Sequence, residues 1–258
     1  MEREVWRYPS LEKLSKGCAE HICKVAQKCV KDIGVFTWVL SGGKTPRTLY
    51  ELLAQNPFSS LMPWLQTHIF WGDERFVPPY HPDSNFAMAF QSFLKKVPIP
   101  SQNIHRIPTE LKSPEDGAAA YDRTLKKFFQ LSARATSYAS SIGKRKRFPS
   151  FDLILLGVGS DGHTASLFPD NPILKEKVCW VASVRAPNGL HPEQRISLTL
   201  PVINAAQRVW FLVSESGKKE VIEALIEKPQ TVKIPYPAGM VHPKGQLLWF
   251  VEKSEAME

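Results

Sequence analysis

FDLILLGVGSDGHTASLF, Phe151 to Phe168, passes from a short apolar run into a glycine-punctuated turn that carries one histidine. Its first part, Phe151 to Gly157, is rich in Leu and Ile, the composition of a central strand covered on both faces. Gly157, Gly159 and Gly162 then permit a tight turn and let a ligand come close to backbone amides. This pattern predicts that Thr164 caps a following helical turn and that His163 stands beside its positive end. An imidazole at such a strand end is held by its neighbours and open to a ligand.

Outward from this stretch, further strand-like runs lie at Val35 to Leu40, His68 to Trp71, Trp180 to Val184, Val209 to Val213 and Leu247 to Val251. Helical patterns cover Pro46 to Leu53, Ser84 to Lys95, Glu115 to Phe129 and Lys218 to Lys228, with starts marked by Thr45, Ser84 or Ser113 and by prolines. The alternation predicts an α/β fold, a mostly parallel Rossmann-like sheet flanked by helices. In such sheets the loops leaving the carboxyl ends of the strands line one rim, where ligands bind. Three unusual polar segments each follow a strand directly: SGGKTP, GDER and GVGSDGHT.

SGGKTP, Ser41 to Pro46, joins a strand to a helix with Thr45 as the expected cap, and its free amides suit an anion. Gly42 and Gly43 allow close approach to phosphate oxygens, Ser41 and Thr45 offer hydroxyls, and Lys44 offers charge. An ordinary tight connection is the plainer reading of this loop by itself. The spacing is not that of a Walker A loop. Asp73, Glu74 and Arg75 close the second strand, where surface solvation is the usual fate of such a triplet, although the planar fork of Arg75 suits a carbonyl or carboxylate oxygen.

GVGSDG satisfies G-x-G-x-x-G and raises a dinucleotide-binding alternative. Pro169 and Pro172 interrupt the long helix that this fingerprint requires, and the run ending at Val184 leads to Arg185, not to an acidic residue for a ribose hydroxyl. No G-x-S-x-G and no H-E-x-x-H occurs. Any hydrolysis would then proceed by direct attack of water activated by a base. His163 is the candidate, because a free imidazole titrates near pH ~6.5.

The 258 residues, 43% hydrophobic and 22% charged, suffice for a single domain over residues 1–258 with a substantial core. No run of about 18 apolar residues and no signal-peptide pattern is present, so the expectation is a cytoplasmic protein without a membrane partner. Cys18 and Cys29 share an apolar stripe with Leu11, Leu14, Ile22 and Val25, which favours helix-core packing over metal ligation by Cys18, His21 and Cys23. The net charge of +8 favours an anionic partner: nucleic acid, an acidic surface or a phosphorylated metabolite. The basic cluster Lys144 to Arg147 lies in a polar insertion at about 131–150 that reads as a solvated loop, with no nucleic-acid-binding motif beside it.

SGGKTP, WGDERFVP, LGVGSDGHTASLFP, QRISLTL and the final PAGMVHPKGQLLWF together resemble the 6-phosphogluconolactonase family, in the family's order and over nearly the whole chain. The resemblance implies a sugar-phosphate isomerase-like fold. It also implies hydrolysis of 6-phosphoglucono-δ-lactone, a phosphorylated sugar lactone, to 6-phosphogluconate in the oxidative pentose phosphate pathway, without metal or organic cofactor; a monomer is the expected state, although sequence does not determine it. In this reading His163 activates water, Asp161 and Asp73 orient it or the substrate, and Arg75 serves the oxyanion or the substrate hydroxyls. Ser41, Gly42, Gly43, Lys44, Thr45, Gly159, Arg195 and Lys218 make the substrate and phosphate end.

Glucosamine-6-phosphate deaminase shares the architecture. That family places an acidic residue before the proline that follows its D-G-H motif, where this chain has Phe168 before Pro169. The sequence also departs from the lactonase pattern, with Lys44 where serine is usual and Glu215 where glycine is usual.

Overall fold

The computed structural model describes residues 4–131, 148–215, 217–227 and 236–253. Its strands are β1 (Glu4–Tyr8), β2 (Phe36–Leu40), β3 (Thr67–Trp71), β4 (Asp73–Arg75), β5 (Ile104–His105), β6 (Leu153–Leu156), β7 (Val181–Arg185), β8 (Gln194–Leu198), β9 (Arg208–Ser214) and β10 (Gln246–Glu252). The helices are α1 (Leu11–Ile33), α2 (Lys44–Leu53), α3 (Phe58–Leu61), α4 (Asn85–Ser92), α5 (Pro114–Leu131), α6 (Leu200–Asn204) and α7 (Lys219–Ile226). The larger sheet has the order β1-β10-β9-β6-β2-β3-β5 with parallel pairings throughout. All five residues of β2 and all four of β6 are buried, because helices cover both faces of a parallel sheet and leave no side that tolerates polar residues.

From β2 the chain builds outward through β3 to β5, then returns to place β6 on the other side of β2. The strand order therefore reverses between β2 and β6, and the crevice outside their carboxyl ends is the switch point where open α/β sheets bind ligands. SGGKTP leaves β2, GDER leaves β3 and GVGSDGHT leaves β6, so the three polar segments come from three adjacent strands. Topology and sequence thus choose the same edge.

A core of large side chains makes this edge rigid. Trp38, Phe36, Phe70, Phe151, Trp210 and Phe211 are all under 2% exposed, each worth roughly 1.5–3 kcal/mol of burial. On α1 the stripe of Leu14, Cys18, Ile22, Ala26 and Cys29 is buried at helical spacing, which settles the cysteines as packing groups, and the His21 ring contacts the Gly17 carbonyl at 2.8 Å. Ser10 caps α1 and Ser84 caps α4 by accepting the backbone N–H three residues on, and Ser113 does the same for Asp116 at the start of α5.

Three expectations need correction. Val181–Arg185 does not join the parallel sheet: it pairs antiparallel with β8, which pairs antiparallel with β4, in a second sheet of order β4-β8-β7. α2 is not capped by Thr45. Gly43 takes the cap position at φ +108°, a conformation that favours glycine, so the helix starts two residues early, at Lys44, and Thr45 falls inside its first turn. Finally, no helix follows His163. Ala165 has φ +48°, Pro169 follows closely, and Thr164 closes a bridge with Leu167 while its hydroxyl donates to the Gly157 carbonyl at 2.8 Å. The dinucleotide fingerprint fails on the same point, since its third glycine must open a helix.

Most of the polar insertion, with Lys144 to Arg147, lies outside the described residues, as does Lys228. Among the described residues no helix is long and apolar enough to cross a membrane.

Candidate active site

The loop leaving β6 folds on itself. Gly162 N donates to the Gly159 carbonyl at 3.0 Å, and Gly159 N donates to the His163 carbonyl at 2.9 Å. Inside this knot Asp161 Oδ1 lies 2.5 Å from His163 Nδ1 and accepts the His163 backbone N–H at 3.1 Å. Gly159 is required by contact: a side chain there would overlap the imidazole and come within 2.7 Å of Asp161 Oδ1. Phe168 also packs against the ring at a tilt, ring centroids 4.7 Å apart. The imidazole is thus clamped, with its side chain 28% exposed, which keeps it within reach of water. Nε2 points away from Asp161 and has no hydrogen-bond partner among the described residues.

Burial pushes the Asp161 carboxyl up, but the hydrogen bond and charge of His163 outweigh it and hold the group below the ordinary carboxylate range. Lys218 stands nearby, just ahead of α7, and donates Nζ to the Val158 carbonyl at 2.6 Å. Burial pulls its ammonium down, opposed by the charge of Asp161.

GDER is not a solvated triplet. Asp73 and Glu74 are buried, and the three residues form β4, in register with Ser197, Ile196 and Arg195 of β8. Asp73 Oδ2 accepts the Ser166 hydroxyl at 2.7 Å, which ties the β3 exit to the His163 loop. Arg75 and Arg195 are paired across the two strands. Arg75 sends Nη1 to the Asp83 carbonyl at 2.7 Å, and its buried Nε has no partner among the described residues. Arg195 sends Nε to the Pro192 carbonyl at 2.6 Å. Burial and the neighbouring Arg75 charge pull its guanidinium below the ordinary value, against the carboxylates of Asp73, Glu74 and Asp83. The two like charges on paired strands disfavour each other, which an anion between them would relieve.

At the β2 exit, Ser41 is buried and its backbone is held by Tyr50, whose hydroxyl accepts Ser41 N–H and donates to the Ser41 carbonyl. Ser41 also lies close to Gly157 of the His163 loop. Gly43 and Lys44 are exposed and Thr45 is half-buried. No side chain bonds the leading amides of α2, so that helix end faces the crevice with its N–H groups uncapped.

The structure therefore brings His163, Asp161, Gly159 and Lys218 together on one side, and Asp73, Arg75 and Arg195 together on the other. The Ser166–Asp73 hydrogen bond joins the two sides. It turns Asp73 toward Ser166 and Asn85, while the His163 ring takes Asp161 as its partner. Sequence reasoning missed Asn85 and Ser166, and it read Glu74 only as part of a solvated triplet and Ser84 only as a helix start. Glu74 accepts Arg75 N, Asn85 N and Phe86 N at 2.7–2.8 Å and the Ser84 hydroxyl at 3.2 Å. No periodic signal marks Glu74, because Asp73, Glu74 and Arg75 are three consecutive charged residues. Among the described residues no cluster of three or more His, Cys, Asp or Glu side chains is arranged to hold a metal ion.

A model of the family described as glucosamine-6-phosphate isomerases/6-phosphogluconolactonase matches residues 9–249. The chain is 38% identical over 252 residues to 6-phosphogluconolactonase 3, chloroplastic, of Arabidopsis thaliana, covering 98% of this chain and 74% of that one. It is 40% identical over 228 residues to the 6-phosphogluconolactonase of Synechocystis sp., covering 88% and 85%. The crystal structure of devB protein matches with a TM-score of 0.80 at 32% identity over 97% of both chains.

Proposed function

Because this chain belongs to the family of glucosamine-6-phosphate isomerases and 6-phosphogluconolactonases, we propose that it opens 6-phospho-D-glucono-1,5-lactone to 6-phospho-D-gluconate with water activated by His163. The observation that carries this reading is the Asp161–His163 contact of 2.5 Å in the crevice between β2 and β6, opposite the Arg75–Arg195 pair.

The chemistry follows from those positions. Asp161 accepts from Nδ1, which fixes the ring and keeps Nε2 as the basic nitrogen. Water gives its proton to Nε2 as its oxygen attacks the lactone carbonyl carbon. Arg75 holds the oxyanion that forms, or the neighbouring ring hydroxyls. When the tetrahedral intermediate collapses, the ring carbon–oxygen bond breaks and the departing oxygen takes the proton back from the imidazolium. The products are a hydroxyl and a carboxylic acid, which ionises. Gly42, Gly43 and the first amides of α2, with Ser41, Lys44, Thr45, Arg195 and Lys218, serve the phosphate, whose remote binding orients the carbonyl against the base. A lactone is an activated ester, so this route needs no metal and no organic cofactor.

The family description covers two chemistries, and one contact separates them. Phe168 lies against the His163 ring where the deaminase pattern has an acid, so no second carboxylate supports the imidazole on that side. The chain's own residues supply every group of the site, which supports a monomer of 29.1 kDa. The four free thiols support a reducing compartment such as the cytosol. The test is acid release from freshly generated lactone, corrected for spontaneous opening. Catalysed release without ammonia from glucosamine 6-phosphate is expected; ammonia release would select the deaminase, and binding without turnover would leave a sugar-phosphate binding protein.

A further inference from the structure

Asn85 is the first residue of α4, 2% exposed, and stands between two of the three loops that build the crevice. Its Nδ2 donates to the Asp73 carbonyl at 2.9 Å and lies 3.4 Å from Asp73 Oδ1. Its carboxamide also lies directly beneath Gly42. A side chain on Gly42 would overlap Asn85 Oδ1 and come within 2.9 Å of Nδ2. One planar group therefore touches the exit of β3 on one side and the anion-facing turn after β2 on the other.

The group is itself fixed from behind. The Asn85 backbone N–H donates to Glu74 Oε1 at 2.7 Å, the next N–H, of Phe86, donates to Oε2 at 2.7 Å, and Ala87 N–H is taken by the Ser84 hydroxyl at 3.1 Å. These bonds use the leading amides of α4, so this helix end is a fixture and not an anion site. With its backbone pinned to β4 through Glu74, the Asn85 side chain has little freedom to retreat. Asp73 in turn holds Ser166 of the His163 loop at 2.7 Å. The contacts run without a break from Gly42 through Asn85 and Asp73 to Ser166, three positions from His163.

We propose that Asn85 is a positioning residue that sets the separation between the phosphate-facing turn at Gly42–Gly43 and the reacting end at His163. It thereby matches the crevice to a lactone bearing a phosphate one hexose length away. The inference rests on the lactonase reading. In this role Asn85 touches no reacting atom: it converts the grip on phosphate into alignment of the carbonyl, which is the step where a small displacement is costly, since an error of about 1 Å can lose on the order of 10²-fold in rate.

The prediction concerns a ratio. Wild-type enzyme should open the phosphorylated lactone far better than unphosphorylated glucono-δ-lactone. Asn85→Ala should reduce that preference about tenfold, mainly through kcat on the phosphorylated substrate, because phosphate still binds but no longer aligns the ring. Gly42→Ala should damage the wild-type enzyme by a similar factor, since the new methyl meets the carboxamide. In the Asn85→Ala background, where that carboxamide is gone, Gly42→Ala should cost no more than about twofold further.

A purely structural role would lower the melting temperature of Asn85→Ala and leave the substrate ratio of the folded fraction at its wild-type value, and that result overturns the proposal. Full additivity of the Gly42→Ala and Asn85→Ala losses overturns it as well. Should Asn85→Ala fail to fold, Asn85→Ser carries the same measurements. A wild-type protein that opens neither lactone would refute the lactonase reading itself, whereas an active wild type with an unaltered ratio in the variant refutes only the role given to Asn85.

Discussion

The loop over residues 157–168 and the segment over residues 72–86 leave the two strands that flank β2, and they use their carboxylates in opposite ways. Asp161 sits in the first, its side chain 38% exposed, and gives its charge to an imidazole. Glu74 sits in the second, 2% exposed, and spends all its acceptor capacity on backbone N–H groups and one hydroxyl. The titration of the two groups follows. His163 holds Asp161 below the ordinary range, whereas burial pushes Glu74 up to about 7, against the pull of its backbone donors. The exposed loop keeps charge available for a reaction; the buried segment uses charge to fix geometry.

The sharpest way to break this division is to remove the imidazole. His163→Ala should lower lactone turnover by ~10² or more, as for loss of a general base, while circular dichroism and thermal melting stay near wild type because the loop's backbone bonds remain. A variant that melts early would show that the ring is structural. A smaller loss is expected at the arginine pair. Arg195→Ala should raise KM by roughly 10–100-fold with kcat less affected, the size of one charge-assisted contact of about 1.5–3 kcal/mol, and an unchanged KM would remove Arg195 from the phosphate end.

How far these residues were legible in the sequence differs between the same two regions. Leu153–Leu156 and Phe36–Leu40 are short runs, apolar but for Thr37, and such runs suit the middle of a parallel sheet. That put the loops leaving them on one rim, while the order of the strands came only from the structure. A lone histidine is more often structural, but His163 stood out because it follows a glycine turn at a strand end. Its support was misread: Thr164 bonds Gly157 across the loop instead of opening a helix, a tertiary contact that no local propensity reports. The second region was hidden for a related reason. Asp73, Glu74 and Arg75 have the composition of a surface turn, and only pairing with β8, itself the mixed sequence QRISL, buries them. Asn85 gave no signal because its importance lies in two partners 12 and 43 positions back along the chain, Asp73 and Gly42.

The smallest expected effect sharpens the comparison through stability. Glu74 has a raised folded value, so the native state binds a proton that the unfolded chain releases between about pH 4.5 and about 7. Its contribution is complete below that window and is lost as pH rises through it. Glu74→Gln should therefore flatten the fall in stability across this range in denaturant titrations at several pH values. Asp161 has the opposite sign: its lowered value favours the native state above the ordinary carboxylate pKa and loses that effect as pH falls through the lowered one. Asp161→Asn should matter at neutral pH and become silent in acid. Matching slopes for the two variants would contradict the division of roles.

The most direct test of the account is a crystal structure of the protein with 6-phosphogluconate bound. Its phosphate should lie on the Gly42–Gly43 turn within reach of Arg195, and its carboxylate should face His163 Nε2. A product bound with its phosphate at the imidazole, or outside the crevice between β2 and β6, would contradict it.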